Sequence, residues 1–337
     1  MRAVLVPEPG KLTLVEREVP CALGNTDVLV RVRVGGICGT DLHIFHGTSP
    51  VATYPRVIGH EFVGEVVGRG RGVTSVQEGD HVVVEPILFC GVCYPCSVGR
   101  PNVCERLEVF GVHRDGGFQE YVVVPERNVH PFSKDIPWEE AVLMEPFTIA
   151  LQVAERGSIT REDKVLIIGA GPIGLCILMY LKSFGVHCGV SDLVPERLQR
   201  ARDLGADFVV HVGKERLEEE VFRHWPGGAH VVVDAVGTPE TLGQAIQLAS
   251  RAGRIVVLGF HREPTPIPQA FITLKELTIV GSRLQAHKFP RVVALFESRK
   301  LRPEKLVSHV FPFEKVYEAF ALLEQHPEKA CKVLLTF

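Results

Sequence analysis

The sequence lacks an excess of charge of either sign, a long apolar run, and any internal repeat or low-complexity segment. Its net charge is -3 with lysines and arginines scattered, so no basic field invites nucleic acid or an anionic membrane surface. The longest uncharged stretch, VLIIGAGPIGLCILMYL between Lys164 and Lys182, has seventeen residues interrupted by three glycines and a proline. That is too short and too broken for a membrane span, and a strand, a glycine turn and a helix explain it better. The opening MRAVLVPEPGKLTLVEREVP has no basic head followed by an apolar run, which predicts no secretory leader and a cytoplasmic protein. A reducing compartment disfavours structural disulfides, and nine cysteines is an odd number.

What is present is the composition of an ordinary globular protein, 46% hydrophobic and 23% charged over 337 residues, enough for about two domains. Residues 1 to about 135 read as β-rich. Runs such as DVLVRVRV, EFVGEVVG, DHVVVEP and EYVVVPE are separated by Gly, Pro and Asp turns. Around WEEAVLMEPFTIALQVAER the period lengthens to that of a helix. From Lys164 strands alternate with amphipathic helices, the pattern of a doubly wound parallel sheet, as far as LTIVGSR. RVVALFESRK and EKVYEAFALLEQH then read as helices, and KVLLTF as a closing strand.

KVLIIGAGPIGLC holds Gly169, Gly171 and Gly174 in the spacing G-x-G-x-x-G, with Pro172 and Ile173 between the last two. The spacing alone is weak, and a structural βαβ unit is the bland alternative. Here a buried strand precedes it, a helix follows, and Asp192 ends the next strand 23 residues beyond Gly169. Gly169 would permit the turn, Gly171 the approach of a pyrophosphate, and Gly174 close packing of helix on strand. Asp192, followed by Leu193, would accept from ribose hydroxyls and repel a 2′-phosphate, favouring NAD over NADP, although Arg197 lies near enough to pair with that phosphate.

Cys90, Cys93, Cys96 and Cys104 form a C-x2-C-x2-C-x7-C loop. Four thiolates complete a tetrahedral zinc shell and leave no position open. An iron–sulfur cluster or a disulfide knot are the rivals, and the short spacing favours zinc. A closed site is a staple for its lobe, so chemistry has to lie elsewhere. GGICGTDLHIFHG, with Cys38, Thr40, Asp41 and His43, is one candidate segment. YPRVIGHEFVGEVVGRG, with His60 and Glu61, and AVLMEPFTIALQ, with Glu145, are the others. Singly, each has a bland explanation: a small buried cysteine, a surface His–Glu pair, a charge at a helix start.

Together, GICGTDLH, GHEFVGEVVGRG, the four-cysteine lobe, GAGPIG and VVVDAVG resemble the zinc-containing medium-chain dehydrogenase/reductase superfamily along essentially the whole chain. The Glu after His60 and the Glu of EPF look like its sorbitol and threonine dehydrogenase branch. YPRVIGHE, GVHRDGGFQEYVVVP, MEPFTIA, GSRLQAHKFP and CKVLLTF look like bacterial sugar-acid dehydrogenases of the L-galactonate or L-idonate type and starvation-sensing zinc dehydrogenases.

The resemblance implies an α/β protein. Residues 1–145 and 284–337 would form a GroES-like β-rich catalytic domain, with a structural zinc lobe at about 88–106. Residues 146–283 would form a Rossmann domain that binds NAD. It implies two zinc ions per chain. One would be held by Cys38, His60 and Glu61, with Glu145 as fourth ligand or holder of the zinc-bound water; the other by the four lobe cysteines. Thr40 and His43 match a proton relay, and Asp41 a partner of the histidine ligand. Ala235, Val236, Leu258, Gly259, Phe260, Ser282 and Arg283 would lie along the cofactor. His43, Phe110, His113, Glu145, Arg283 and Lys288 would line the substrate.

Leu284 stands where the polyol enzymes have an aromatic residue, a departure that speaks against a plain polyol; Arg283 and Lys288 together would neutralise the carboxylate of a sugar acid, with solvated surface charges as the bland alternative. L-Threonine 3-dehydrogenase shares the ligand set, and a non-enzymatic NAD(H)-binding regulator is the reading from another class. The complete candidate set argues against a decayed site. Family members are homodimers or homotetramers, and the same state is expected here.

Overall fold

A computed structural model describes residues 1–337. The chain forms two compact units, Met1–Glu145 with Ala286–Phe337, and Pro146–Gln285. No helix is long and apolar enough to cross a membrane.

The first unit is organised by the strand Asp27–Ile37, eleven residues long. Val28, Val30, Val32 and Val34 are buried while Asp27, Leu29, Arg31 and Arg33 between them are more exposed, the period-two signature of a strand with one covered face. From Val34 to Ile37 the alternation stops and every residue is buried, so both faces are covered there. Two irregularities in the register with Glu61–Arg69, at Leu29/Val30 and Val32/Val34, bend the strand before that point.

The sheet runs in the order Val129–Pro131, His81–Val84, Glu61–Arg69, Asp27–Ile37, Lys332–Thr336, Val307–Pro312. Tyr121–Pro125 pairs with the first half of Asp27–Ile37 and the closing strand Lys332–Thr336 with its second half. Its core joins Val28, Val30 and Val32 to Phe62, Val66, Val82, Val84, Val122 and Val124.

The second unit is a six-stranded, all-parallel sheet in the order Phe208–His211, His187–Asp192, Lys164–Ile168, Ala229–Asp234, Ala249–Val257, Thr278–Gly281. Numbered within the unit this is 3-2-1-4-5-6, the doubly wound Rossmann order, and the direction of winding reverses beside Lys164–Ile168. Leu166, Ile168, Val210, Trp225, Val232 and Ile255 belong to its core.

The helical period around WEEAVLMEPFTIALQVAER is met by two helices, Trp138–Ala141 and Met144–Arg156. The strand Val307–Pro312, whose burial does not alternate cleanly, has no counterpart among the strands expected from the sequence.

Candidate active site

Cys38 directly follows the strand Asp27–Ile37 and caps the short helix Gly39–Phe45. Its backbone N–H donates to Asp41 Oδ2 at 2.9 Å, the acid at the third helical position serving as the return half of a capping box. Asp41 Oδ1 accepts from the N–H of Gly59 at 3.1 Å, directly before His60. One fully buried carboxylate therefore ties together the segments that carry Cys38 and His60. Glu61 opens the neighbouring strand and pairs with Gly36. The result is a sulfur, an imidazole nitrogen and a carboxylate oxygen within 4.8 Å of one another. Three such donors with a further position free are the ligand set of catalytic zinc sites.

The electrostatics say what is missing from this cluster. His60 Nδ1 is buried, makes no hydrogen bond and stands 3.8 Å from Asp41 Oδ1. Burial opposes a proton on His60, yet the Cys38 thiolate and the Asp41 carboxylate outweigh it and hold the imidazole well above its usual 6.5. Burial raises Asp41 against the pull of His60. Glu145, 4% exposed in the first turn of Met144–Arg156, is pushed up to about 7, by burial first and the Glu61 carboxylate second. A buried group of anions that drives up the proton affinity of its own histidine is short of a cation, which is the fit a metal requires.

One cation is already there. Lys332, 2% exposed, donates to Glu61 Oε2 and reaches the carbonyl of Ile37 at 3.5 Å. Removing one member of such a buried pair ordinarily costs about 3–5 kcal/mol. The two side chains meet beside Gly36, where a Cβ would lie 2.4 Å from Glu61 Oε2. Sequence reasoning noticed KVLLTF as a strand and gave Lys332 no role. A lysine opening an otherwise apolar strand was the available signal.

The lobe cysteines differ in kind. Cys93 and Cys96 Sγ are 3.5 Å apart, Cys93 and Cys104 3.7 Å, and Cys104 and Cys90 3.5 Å. Four sulfurs ~2.3 Å from a common ion form a tetrahedron with edges of about 3.8 Å. A disulfide would need ~2.05 Å, and all nine cysteines are free thiols. The N–H groups of Cys90 and Arg106 each donate to Cys104 Sγ at 3.3 Å. Cys90 is drawn down to about 6 by the Val92 and Cys93 N–H groups, while Cys96 is pushed up to about 12 by desolvation and by Cys93. Thiols this close cannot all ionise without a cation among them, and the lobe fits a structural zinc.

In the second unit the candidate cofactor residues collect at the carboxyl ends of neighbouring strands. Gly171 caps the helix Pro172–Ser183, and a Cβ there would meet nothing within 4 Å, so the space before the helix start is open. Gly174 is the opposite case, since a Cβ would lie 1.9 Å from the carbonyl oxygen of Gly169. Open backbone at Gly171 and close packing at Gly174 fit a pyrophosphate on the helix N-terminus. Asp192 accepts from Ala170 N–H at 2.7 Å through Oδ2 and from Val194 N–H at 2.8 Å through Oδ1. It braces the glycine loop and keeps lone pairs for ribose hydroxyls. Leu193 beside it is exposed, and Arg197 is half-buried in the helix Pro195–Asp203.

Asp234, fully buried, shapes the loop of Ala235 and Val236 by accepting from the N–H groups of Val236 at 3.2 Å and Gly237 at 2.9 Å. The sequence reading quoted VVVDAVG without assigning Asp234 a role. Leu258 N–H donates to the Asp234 carbonyl at 3.1 Å and Ser282 N–H to that of Val257 at 2.9 Å, which carries Gly259, Phe260 and Arg283 to the same end of the sheet. The Arg283 guanidinium lies 5.7 Å over the Phe260 ring.

The remaining candidates are scattered through the first unit. Thr40 is half-buried in the helix Gly39–Phe45, and His43 is exposed with Nδ1 2.9 Å from Thr48 Oγ1. Phe110 is packed into the valine core. His113 Nδ1 accepts from Val109 N–H at 3.1 Å, and Lys288 precedes the helix Phe289–Glu297.

Residues 24–134 match the family model of the alcohol dehydrogenase GroES-like domain, and residues 172–298 that of the zinc-binding dehydrogenase. The chain belongs to the zinc-containing alcohol dehydrogenase family of medium-chain oxidoreductases, with a GroES-like domain and a Rossmann domain. It is 46% identical to the starvation-sensing protein RspB of Escherichia coli K12 over 341 residues, covering 100% of this chain and 99% of that one. It is 32% identical to the L-galactonate-5-dehydrogenase of the same organism over 339 residues, with the same coverage. Proteins named L-threonine 3-dehydrogenase are among its further relatives. The crystal structure of RspB from Escherichia coli CFT073 complexed with NADH superposes with a TM-score of 0.96 at 44% identity, over 100% of this chain and 99% of that one.

Proposed function

We propose that this protein oxidises a secondary alcohol of a sugar acid of the hexonate type, or of a polyol, with zinc at Cys38, His60 and Glu61 and NAD as the hydride acceptor. The observation that carries the reading is the buried cluster of Cys38, His60 and Glu61, three unlike donors within 4.8 Å. Zinc, when bound, supplies the positive charge that acidifies a substrate hydroxyl, and NAD supplies the acceptor for hydride.

The chain's own residues do the rest. Asp41 holds the two ligand segments together through the Cys38 and Gly59 N–H groups and places its charge 3.8 Å from His60 Nδ1. Glu145, buried beside the candidate zinc ligands, serves as a further donor to the ion or holds the water bound there. The Thr40 hydroxyl and His43 imidazole carry the released proton outward. With Nδ1 engaged by Thr48, the other ring nitrogen of His43 is left to exchange with water. Asp192 favours NAD, because a 2′-phosphate would meet its carboxylate. The sugar-acid preference is supported by the likeness to L-galactonate-5-dehydrogenase and by Arg283 and Lys288 as cations for a carboxylate. An oligomer of two or four chains and a second zinc in the four-cysteine lobe complete the proposal.

The test is NADH absorbance with the zinc-loaded protein and NAD or NADP. The substrates are L-galactonate, L-idonate, D-mannonate, D-gluconate, sorbitol, xylitol and L-threonine, with Glu61→Ala as control. Turnover confined to one or two hexonates, with NAD preferred, is expected. A preference for sorbitol, xylitol or threonine would move the substrate and leave the zinc chemistry standing. No reduction of NAD by a chain that binds NADH and two zinc ions would replace the enzyme with a regulator.

A further inference from the structure

Lys332 takes no part in the chemistry proposed above, yet it is the chain's one buried lysine. Its position follows from the sheet. The strand Asp27–Ile37 has Glu61–Arg69 on one side and Lys332–Thr336 on the other. Glu61 pairs with Gly36, and Val333 with Ile37. Glu61 and Lys332 thus reach each other from the two neighbours of one strand, beside Gly36, which has no side chain to stand in the way. The ammonium donates to Glu61 Oε2, and the backbone of Gly36 stands so close that a Cβ would lie 2.4 Å from the same oxygen.

We infer that Lys332 is a positioning residue for Glu61. It is the counter-charge that holds the carboxylate in the metal-free protein and competes with the metal for it, so that Lys332 sets how tightly the centre of Cys38, His60 and Glu61 holds its ion. This rests on the zinc reading of that centre. The sign follows from the two states compared. In the metal-free protein the Lys332 ammonium is the counter-charge in contact with Glu61 Oε2, both side chains being buried. In the loaded protein the ion takes over that task, and the ammonium draws charge from the carboxylate and repels the ion. An interaction that favours the metal-free state weakens binding by the same amount.

Lys332 therefore keeps Glu61 a restrained donor. The ion stays electron-poor, as a Lewis acid must be, and Glu61 has a partner to return to when it lets go. A group that hydrogen-bonds a ligand by accepting from it raises the ligand's basicity, whereas an ammonium does the reverse.

The experiment is zinc release from the loaded full-length chain to a metallochromic chelator, with affinity from chelator competition and the absorption spectrum of the cobalt(II) form. Cys38→Ser identifies which release phase belongs to this centre and which to the four-cysteine lobe. Lys332→Met is expected to slow release and tighten binding on the order of tenfold. It should also lower the melting temperature of the metal-free protein and shift the cobalt bands. Lys332→Arg restores the charge and is expected to behave as the natural chain. In the Glu61→Gln background, Lys332→Met should lose most of its effect.

Unchanged or weaker binding in Lys332→Met would overturn the inference. Should that variant fail to fold, Lys332→Gln keeps a donor without the charge and is expected to tighten binding in the same direction, with no change overturning it. If the natural chain has no release phase that Cys38→Ser removes, the zinc reading itself falls and takes this inference with it. If the phase exists and Lys332 variants leave it unchanged, only the inference falls.

Discussion

Cys90, Cys93, Cys96 and Cys104 gather within fifteen residues of chain, whereas Cys38, His60 and Glu61 meet only because two strands pair and Asp41 spans two segments. The first set is uniform in chemistry, lies in an exposed lobe and engages its sulfurs with one another and with backbone N–H groups. The second mixes sulfur, nitrogen and oxygen, is mostly buried and stands among further charged groups that are not ligands. A local, closed set can fasten a lobe but leaves no position for substrate. An assembled set depends on the whole sheet, and that dependence lets other residues tune it.

The difference can be broken open by substitution. Cys38→Ser should lower kcat/KM by about 10³-fold or more, worth about 4 kcal/mol of transition-state stabilisation. Steady-state kinetics would show it, with melting of the metal-loaded protein shifted little. If instead Cys38→Ser loses stability and keeps its rate, the two centres have been assigned the wrong way round.

Cys96→Ser in the lobe should do the reverse. A loss of a few kcal/mol corresponds to roughly 5–10 °C in Tm by calorimetry, while the folded fraction keeps far more of its rate than Cys38→Ser does. Gly36→Ala brings a methyl group against Glu61 Oε2, where only 2.4 Å is available. It should weaken zinc at the assembled centre by about 10–100-fold in chelator competition and leave the lobe's zinc in place. Equal loss at both sites would mean that the strand itself had come apart.

The smallest effect is one of pH. Glu145 is raised from 4.5 to about 7, so its contribution to the metal-free fold is fully present below about 4.5 and lost as pH rises through 7. Glu145→Gln should flatten the stability of the metal-free protein between pH 5 and 8, followed by denaturant melts. An unaltered slope would remove Glu145 from the buried anionic group.

How much of this could be read in the chain follows the same division. The lobe is legible in its spacing, because its ligands are neighbours in sequence. The Rossmann unit is legible too, since each βα step is local and Asp192 falls where the next strand must end. Cys38, His60 and Glu61 stand out singly as candidates, and only the resemblance joins them into one ligand set. Nothing local says that a helix cap and the first residue of a strand will face one ion. Gly36 and Lys332 were not reached at all. Their meaning lies in a register between strands about three hundred residues apart, which no period in the sequence encodes. Asp234 was in plain view inside VVVDAVG, but its work is on backbone N–H groups, and side-chain motifs do not advertise that.

The strand that carries Lys332 follows every candidate ligand of the assembled centre in the order of synthesis. Glu61 is made 271 residues before Lys332, so it lacks its counter-charge, and the second half of Asp27–Ile37 lacks one of its neighbours, until that strand emerges. A chain interrupted before Lys332 would carry all of its candidate ligands and an unfinished place to hold them.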